Sequence, residues 1–375
     1  MKGLTIEYYD RFNCIGGVCP LSCCEFSWLI LIDKETEAYY QSLEGDLGQE
    51  LKDNMCRAEG KTVFRMDCDY RCHFLREDGL CRLVLALGEE KLCNTCRHYP
   101  RYEALYGDVM FYGLNISCPE VGRLLLSGKE KLCFDFKEGM PGEVPTDTNW
   151  SRFNNMIAAY LTANRIVQDR TLDMRRRICA MILFAEQMQE CMDTGDDPAE
   201  VLNFFSASEG VASVLDEIQG IDKDIRKKTE LLTLYATEVV KRPVYRRVLE
   251  LFSLITEKLG TTKQEIDLLY EHYDLEVPAE EQENLMVYLL FRHSMRGWEE
   301  GKFRDAVFHC IVCFLLYESM SVLCVKGNRI SSFEERILQL AIQDRILEHD
   351  RPASEAFWDK IKEKMNTEWL LKAIW

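Results

Sequence analysis

Residues 14–28 read Cys14-Ile15-Gly16-Gly17-Val18-Cys19-Pro20-Leu21-Ser22-Cys23-Cys24-Glu25-Phe26-Ser27-Trp28. Four thiols fall within eleven residues, separated by glycine, proline and serine. Small residues let a backbone fold tightly round a bound centre. A second signal starts at Cys68-x3-Cys72, runs through Cys72-His73-Phe74-Leu75-Arg76-Glu77-Asp78-Gly79-Leu80-Cys81, and continues at Cys93-Asn94-Thr95-Cys96. With Cys56 and Cys118, eleven of the 17 cysteines lie between Cys14 and Cys118; the 257 residues beyond hold six. Buried thiols used only as small apolar residues would be scattered. Thiols grouped this closely surround a metal ion or an iron–sulfur cluster.

Disulfides are the competing reading. Met1-Lys2-Gly3-Leu4-Thr5-Ile6-Glu7-Tyr8 contains no apolar core and no small-residue cleavage site of a secretory signal. The expected location is therefore the cytoplasm, where structural disulfides are rare. The odd cysteine count would strand one thiol. A chain of 375 residues can also bury a core without staples.

The composition is that of a globular protein, with 47% apolar residues. A net charge of −17 argues against a nucleic-acid partner, which needs a positive face, and suits a cationic one. The run Phe308–Val325 is long enough for a membrane span. His309, Glu318 and two serines interrupt it, so a buried helix is expected and no membrane partner.

The expected fold class is mainly α: an irregular cysteine-rich metal-binding module at residues 1–140, then a helical domain at 150–375. Glycine and proline punctuate the first part. Phe26 to Ile32 reads as a strand or a buried run, and Asp33 as the N-cap of a helix. Lys137 to Asn149, with Gly139, Pro141, Gly142 and Pro145, reads as the linker. Beyond Trp150, apolar residues recur at helical spacing through Ile225–Val240, Val244–Lys258, Lys263–Tyr273, Glu280–Gly297, Phe303–Leu323 and Phe333–Glu348. Seven to nine helices are expected there.

Four elements in order resemble the flagellin lysine-N-methylase family. They are Cys14-Ile15-Gly16-Gly17-Val18-Cys19 with Cys23-Cys24; Cys72-His73-Phe74-Leu75 with Gly79-Leu80-Cys81; Leu92-Cys93 with Cys96 and Tyr99-Pro100-Arg101; and Ser117-Cys118-Pro119-Glu120-Val121 with Leu124-Leu125-Leu126. The likeness covers residues 8–126 and continues more weakly at Glu283–Leu290. The resemblance implies transfer of a methyl group from S-adenosylmethionine to lysine amines of flagellin, with a [4Fe–4S] cluster held by cysteines. It makes Cys14, Cys19, Cys23, Cys24, Cys72, Cys81, Cys93, Cys96 and Cys118 the candidate set, with no choice of ligands within it. Cys56, Cys68 and Cys133 lie outside the motif elements and read as structural.

Other readings stay open. Zinc is the alternative metal, although structural zinc often uses two Cys-x2-Cys pairs and within the cysteine-rich part only Cys93–Cys96 has that spacing. His73 and His98 are spare imidazoles. A zinc-stabilised module that docks a partner or carries metal without catalysis is the alternative function. It draws on the absence of a Gly-x-Gly-x-x-Gly loop and of a Cys-x3-Cys-x2-Cys run. The methyl-donor site and catalytic residues are therefore not readable. Chemistry sets one demand: a lysine amine with a reference pKa near 10.4 must lose a proton, which costs about 4 kcal/mol at neutral pH. Tyr99 and Arg101 are candidates to line such a pocket, against the simpler roles of packing and of pairing with an acid. Trp28 is a candidate shield for the cluster, against core packing.

Overall fold

A computed structural model of the chain describes residues 1–25, 28–68, 70–139, 144–241, 246–258 and 263–374. Strands β1 (Lys2–Ile6), β2 (Met55–Ala58), β3 (Lys61–Phe64), β4 (Arg101–Tyr106), β5 (Val109–Leu114) and β6 (Phe134–Lys137) accompany a larger set of helices. The fold is mainly α, as expected. Part of the expected segment 26–32 (Phe26 and Ser27), part of the linker (residues 140–143) and the start of the Val244–Lys258 stretch lie outside the described residues.

The sequence did not announce a sheet. Strands β4, β5, β1 and β6 form one in that order, with β1 parallel to β5 and the other pairs antiparallel. β4 and β5 are a hairpin closed by Gly107-Asp108. Gly107 has φ +55°, and a Cβ there would meet the Phe153 ring at 2.7 Å. Glycine alone meets both demands. The missed signal was the alternation Tyr102, Ala104, Tyr106 and Val109, Phe111, Gly113 on either side of that turn. β2 and β3 pair separately, and the extended segment at Ile30–Ile32 docks on β3 through Ile32 N to Thr62 O and Phe64 N to Ile30 O.

The helical stretches land where periodicity placed them: Arg226–Val239, Arg246–Lys258, Lys263–Glu276, Ala279–His293, Phe303–Leu323 and Phe333–Asp344. The described residues hold twelve α-helices from Trp150 onward rather than seven to nine. The additions include short helices such as Ala199–Ser206, Ser208–Glu217 and Thr367–Ile374, which give periodicity too little length to register. Helix Phe303–Leu323 is long and apolar enough to cross a membrane, yet most of it is buried within the protein. It packs on Met174–Thr194, Ala279–His293 and Phe333–Asp344.

The hydrophobic cores do not follow the linker. One core joins Ile6, Tyr8, Phe111, Leu125 and Leu126 to Tyr160, Phe291 and the rest of the helices. The other is confined to the cysteine-rich part and holds Ile30, Ile32, Tyr40, Leu51, Phe64, Phe74, Leu83 and Leu92 together with Cys72 and Cys93. The sheet therefore packs with the helical part, and the cysteine loops project beside it.

Candidate metal centre and adjoining cleft

Each cysteine loop is fixed by local chemistry. Asp33 is the expected N-cap: its Oδ1 accepts from Thr36 N at 2.9 Å. Its Oδ2 accepts from Asn94 N at 2.8 Å, tying the Cys93–Cys96 turn to that helix start. These donors outweigh desolvation and hold the Asp33 carboxyl below its ordinary value. Cys72 N donates to Cys24 O at 2.8 Å, which sets the second loop against the first. The loops also touch at two glycines. A Cβ on Gly17 would lie 2.4 Å from Asp78 O, and one on Gly79, whose φ is +76°, 2.9 Å from Gly17 O. Cys118 caps the helix Pro119–Leu126.

The loops bring the candidate thiols into one neighbourhood. Cys96 feels Cys93, Cys24 and Cys23; Cys72 feels Cys81, Cys23 and Cys93. Cys118 feels Cys19 and Cys23, and Cys19 feels Cys23 and Cys14. A hydrogen bond between Cys93 and Cys96 holds the Cys93 thiol below its ordinary value and pushes Cys96 up. The Cys23 thiol is pushed up by its hydrogen bond with Cys24. Cys56 lies in β2, and Cys68 and Cys133 are exposed.

The histidine and side-chain candidates resolve individually. His73 Nε2 is 2.7 Å from Glu50 Oε1, and Arg82 grips the same carboxylate. His98 is exposed at the end of the Asn94–His98 helix. Arg101 lies over the rings of Tyr9 and Phe12, at 5.8 and 5.4 Å, in place of the expected acid partner. Tyr99 packs 5.4 Å from Trp28, and its hydroxyl is 3.0 Å from Ser117 Oγ. Trp28 donates from Nε1 to Cys23 O at 3.0 Å, so it both packs and covers the first cysteine loop.

The C-terminal part contributes residues that the sequence did not single out. Helix Phe333–Asp344 runs into a π-helical turn, Arg345–His349. Such turns re-aim side chains, frequently at functional sites. Arg345, fully buried, donates from Nε to Ser117 O, from Nη1 to Ser22 O and from Nη2 to Leu21 O. His349 meets the Trp28 ring at 5.1 Å. The available signal was Gln343-Asp344-Arg345, polar residues inside an otherwise apolar helical run.

A cleft of about 630 Å³ opens at this junction, lined by Trp28, Leu31, Glu59, Tyr70, Glu348 and His349 among others. That volume is in the range of small-molecule sites. Glu59 and Tyr70 hold left-handed backbones, φ 52° and 59°. At Glu59 this is the demand of the two-residue hairpin turn Glu59-Gly60 between β2 and β3, which needs a positive φ at both positions.

Residues 161–372 match the model of the FliB lysine N-methylase C-terminal domain. The chain belongs to this family. It is 27% identical over 147 residues to the flagellar biosynthetic protein FliU of Salmonella muenchen, covering 37% of this chain and 86% of that one. It is 28% identical over 149 residues to the lysine-N-methylase of Salmonella typhimurium, covering 36% of each chain, and equally to that of Salmonella choleraesuis. The match thus spans little more than a third of the two lysine-N-methylases. No solved structure matches.

Proposed function

We propose that this FliB-family protein transfers methyl groups from S-adenosylmethionine to lysine side chains of flagellin. We propose further that a [4Fe–4S] cluster draws its ligands from Cys14, Cys19, Cys23, Cys24, Cys72, Cys81, Cys93, Cys96 and Cys118. The cytoplasm, where flagellin is made before export, is the proposed location. Family membership and the names of the relatives support methyl transfer to a flagellar protein. The observation that carries the reading is that the nine thiols gather beside an aromatic-lined cleft, against the family-matched domain.

A cluster is preferred to zinc because all nine thiols lie in the motif elements that carry the family likeness, and among them only Cys93–Cys96 has the Cys-x2-Cys spacing frequent in structural zinc sites. When bound, the cluster would supply either a redox centre or a cross-link between the cysteine loops.

The chain's own residues would do the rest. Arg345 holds the Cys23–Cys24 loop and the Cys118 segment together. The Trp28 and Tyr70 rings offer apolar surface to a lysine stem, and Glu59 at the cleft offers a carboxylate to its ammonium. The negative surface would steer a cationic segment toward the site, more weakly at high salt.

The test is to incubate anaerobically purified, metal-replete protein with S-adenosylmethionine and flagellin, and to read lysine mass increments of one CH2 each. The rate should rise with pH, because the neutral amine attacks and its fraction grows about tenfold per unit below the lysine pKa. Absence of both donor binding and lysine modification under these conditions would leave the docking-module reading in its place.

A further inference from the structure

A second group of ligand-type side chains lies in the helical part. His293 ends helix Ala279–His293, His309 lies in the second turn of Phe303–Leu323, and Glu348 lies in the π-helical turn. One ligand atom from each comes within 4.8 Å of the other two, and the imidazole centroids are 4.7 Å apart. Three separate elements have converged two nitrogens and one carboxylate on a point.

The two nitrogens have nothing to bond. His293 Nδ1 and His309 Nε2 are buried, and neither has a hydrogen-bond partner among the described residues. Glu348 Oε1 is 3.9 Å from His293 Nδ1, too far for a hydrogen bond. A buried polar atom without a partner costs about 1–3 kcal/mol. With each imidazole's proton on its other nitrogen, these two atoms and the carboxylate offer lone pairs to a cation.

We propose that His293 Nδ1, His309 Nε2 and Glu348 bind a divalent transition-metal ion of the zinc type, at a site separate from the cysteine centre. Two imidazoles and one carboxylate suit such an ion, with metal–ligand distances of roughly 2.0–2.2 Å and a fourth position left open. Bringing the three side chains to those distances takes a contraction of about an ångström. The surroundings already orient the ligands. His309 stacks on Trp358 at 4.0 Å, and Arg296 holds Glu348 Oε2 at 2.6 Å. Such outer contacts fix ring and carboxylate directions.

Charge sets the main opposition. Arg292 and Arg296 both face Glu348 and would repel the ion. Asp344 lies beside Glu348, and its Oδ2 has no partner among the described residues. Ionised, its carboxyl supplies a counter-charge beside the site. Access is provided by a cleft of about 620 Å³ lined by His309, Arg304, Asp305 and Trp358 among others.

The test is a Co²⁺ titration of full-length, anaerobically purified protein with its cysteine centre loaded. One equivalent should bind with ligand-field bands and no thiolate-to-cobalt charge transfer, and Zn²⁺ should displace it. His309→Ala should weaken Co²⁺ binding at least about 100-fold, and Glu348→Gln should weaken it too. Cu²⁺-loaded wild-type protein should show two coupled imidazole nitrogens by pulsed paramagnetic resonance, a readout that needs no variant to fold. No binding, binding with only a thiolate band, no imidazole coupling, or wild-type affinity in both variants would each overturn the proposal. Those results would assign the pair to a buried water or a shared proton.

Discussion

Arg345 Nε donates to the backbone carbonyl of Ser117 at 3.0 Å, across 228 residues of chain. The same guanidinium reaches Ser22 O at 3.0 Å and Leu21 O at 2.9 Å. One C-terminal side chain therefore sets the distance between the Cys23–Cys24 loop and the residue preceding Cys118. Arg345→Ala leaves these buried carbonyls without their donor and should destabilise the protein by about 3 kcal/mol or more. Arg345→Lys keeps the charge and loses the fork, so it should fold yet bind less metal per chain. Full metal content and unchanged melting in both variants would mean the cysteine loops hold themselves.

Cys93→Ser and Cys96→Ser should lose metal and lower the melting of the cysteine-rich part. Cys93 belongs to its small core, and ligation adds folding energy there. Cys179→Ser, Cys191→Ser and Cys324→Ser should keep full metal content, because Cys179 and Cys324 are buried in the helical core and Cys191 is half-buried on Met174–Thr194. Metal analysis decides; loss in any of the last three would bring the helical part into the ligand set.

What could be read in advance follows from the range of each signal. Helical period is local, so Ala279–His293 and Phe303–Leu323 were legible, as was the Asp33 cap, which needs only Thr36 three residues on. Grouped thiols are also local, and the motif likeness narrowed them to nine. Sheet order was not legible, because β1 and β5 pair across 107 residues and nothing in either strand names its partner. Arg345, His293, His309 and Glu348 escaped for the same reason: their roles depend on neighbours that only the packed helices bring close.

The stacking of Phe134 on Phe291, with centroids 5.4 Å apart, joins the last strand to the helical part. Phe111 meets Phe291 at 5.1 Å. A protease should cut first within the glycine- and proline-rich segment 137–149. The nicked halves should stay associated under native conditions, because the sheet and the helices share a core. Expressed alone, 150–375 should be helical by circular dichroism but bind a hydrophobic dye and melt without a sharp transition. Phe111→Ala in the intact chain should cost about 3–5 kcal/mol. A sharp, dye-free transition in the fragment would show that the helical part folds alone.

Glu318 lies fully buried in the central helix, with Lys228 Nζ at 2.7 Å from Oε1 and Arg175 Nη1 at 3.0 Å from Oε2. Burial alone would raise the carboxyl, but Arg175 and Lys228 outweigh it and hold Glu318 down at about 2. Lys228 is pushed down to about 7, chiefly by burial and next by Arg175, against the pull of Glu318. Glu318→Gln strands the buried Lys228 ammonium and leaves Arg175 with Asp274, at 2.7 Å, so it should destabilise by about 3–5 kcal/mol. Lys228→Met should cost much less, because Arg175 still pairs with Glu318. The pH dependence has a defined sign in each direction. The native carboxyl is the stronger acid, so its contribution is complete above 4.5 and fades as pH falls toward about 2. The native Lys228 amine is the weaker base, so between about 7 and 10.5 the unfolded chain binds a proton that the native site has released. Stability of the wild type relative to Lys228→Met should therefore rise across that window and level off above it. Urea midpoints of the two proteins, measured from pH 7 to 10, give the comparison. A constant difference would mean that Lys228 stays protonated in the folded protein and that Glu318 alone governs the site.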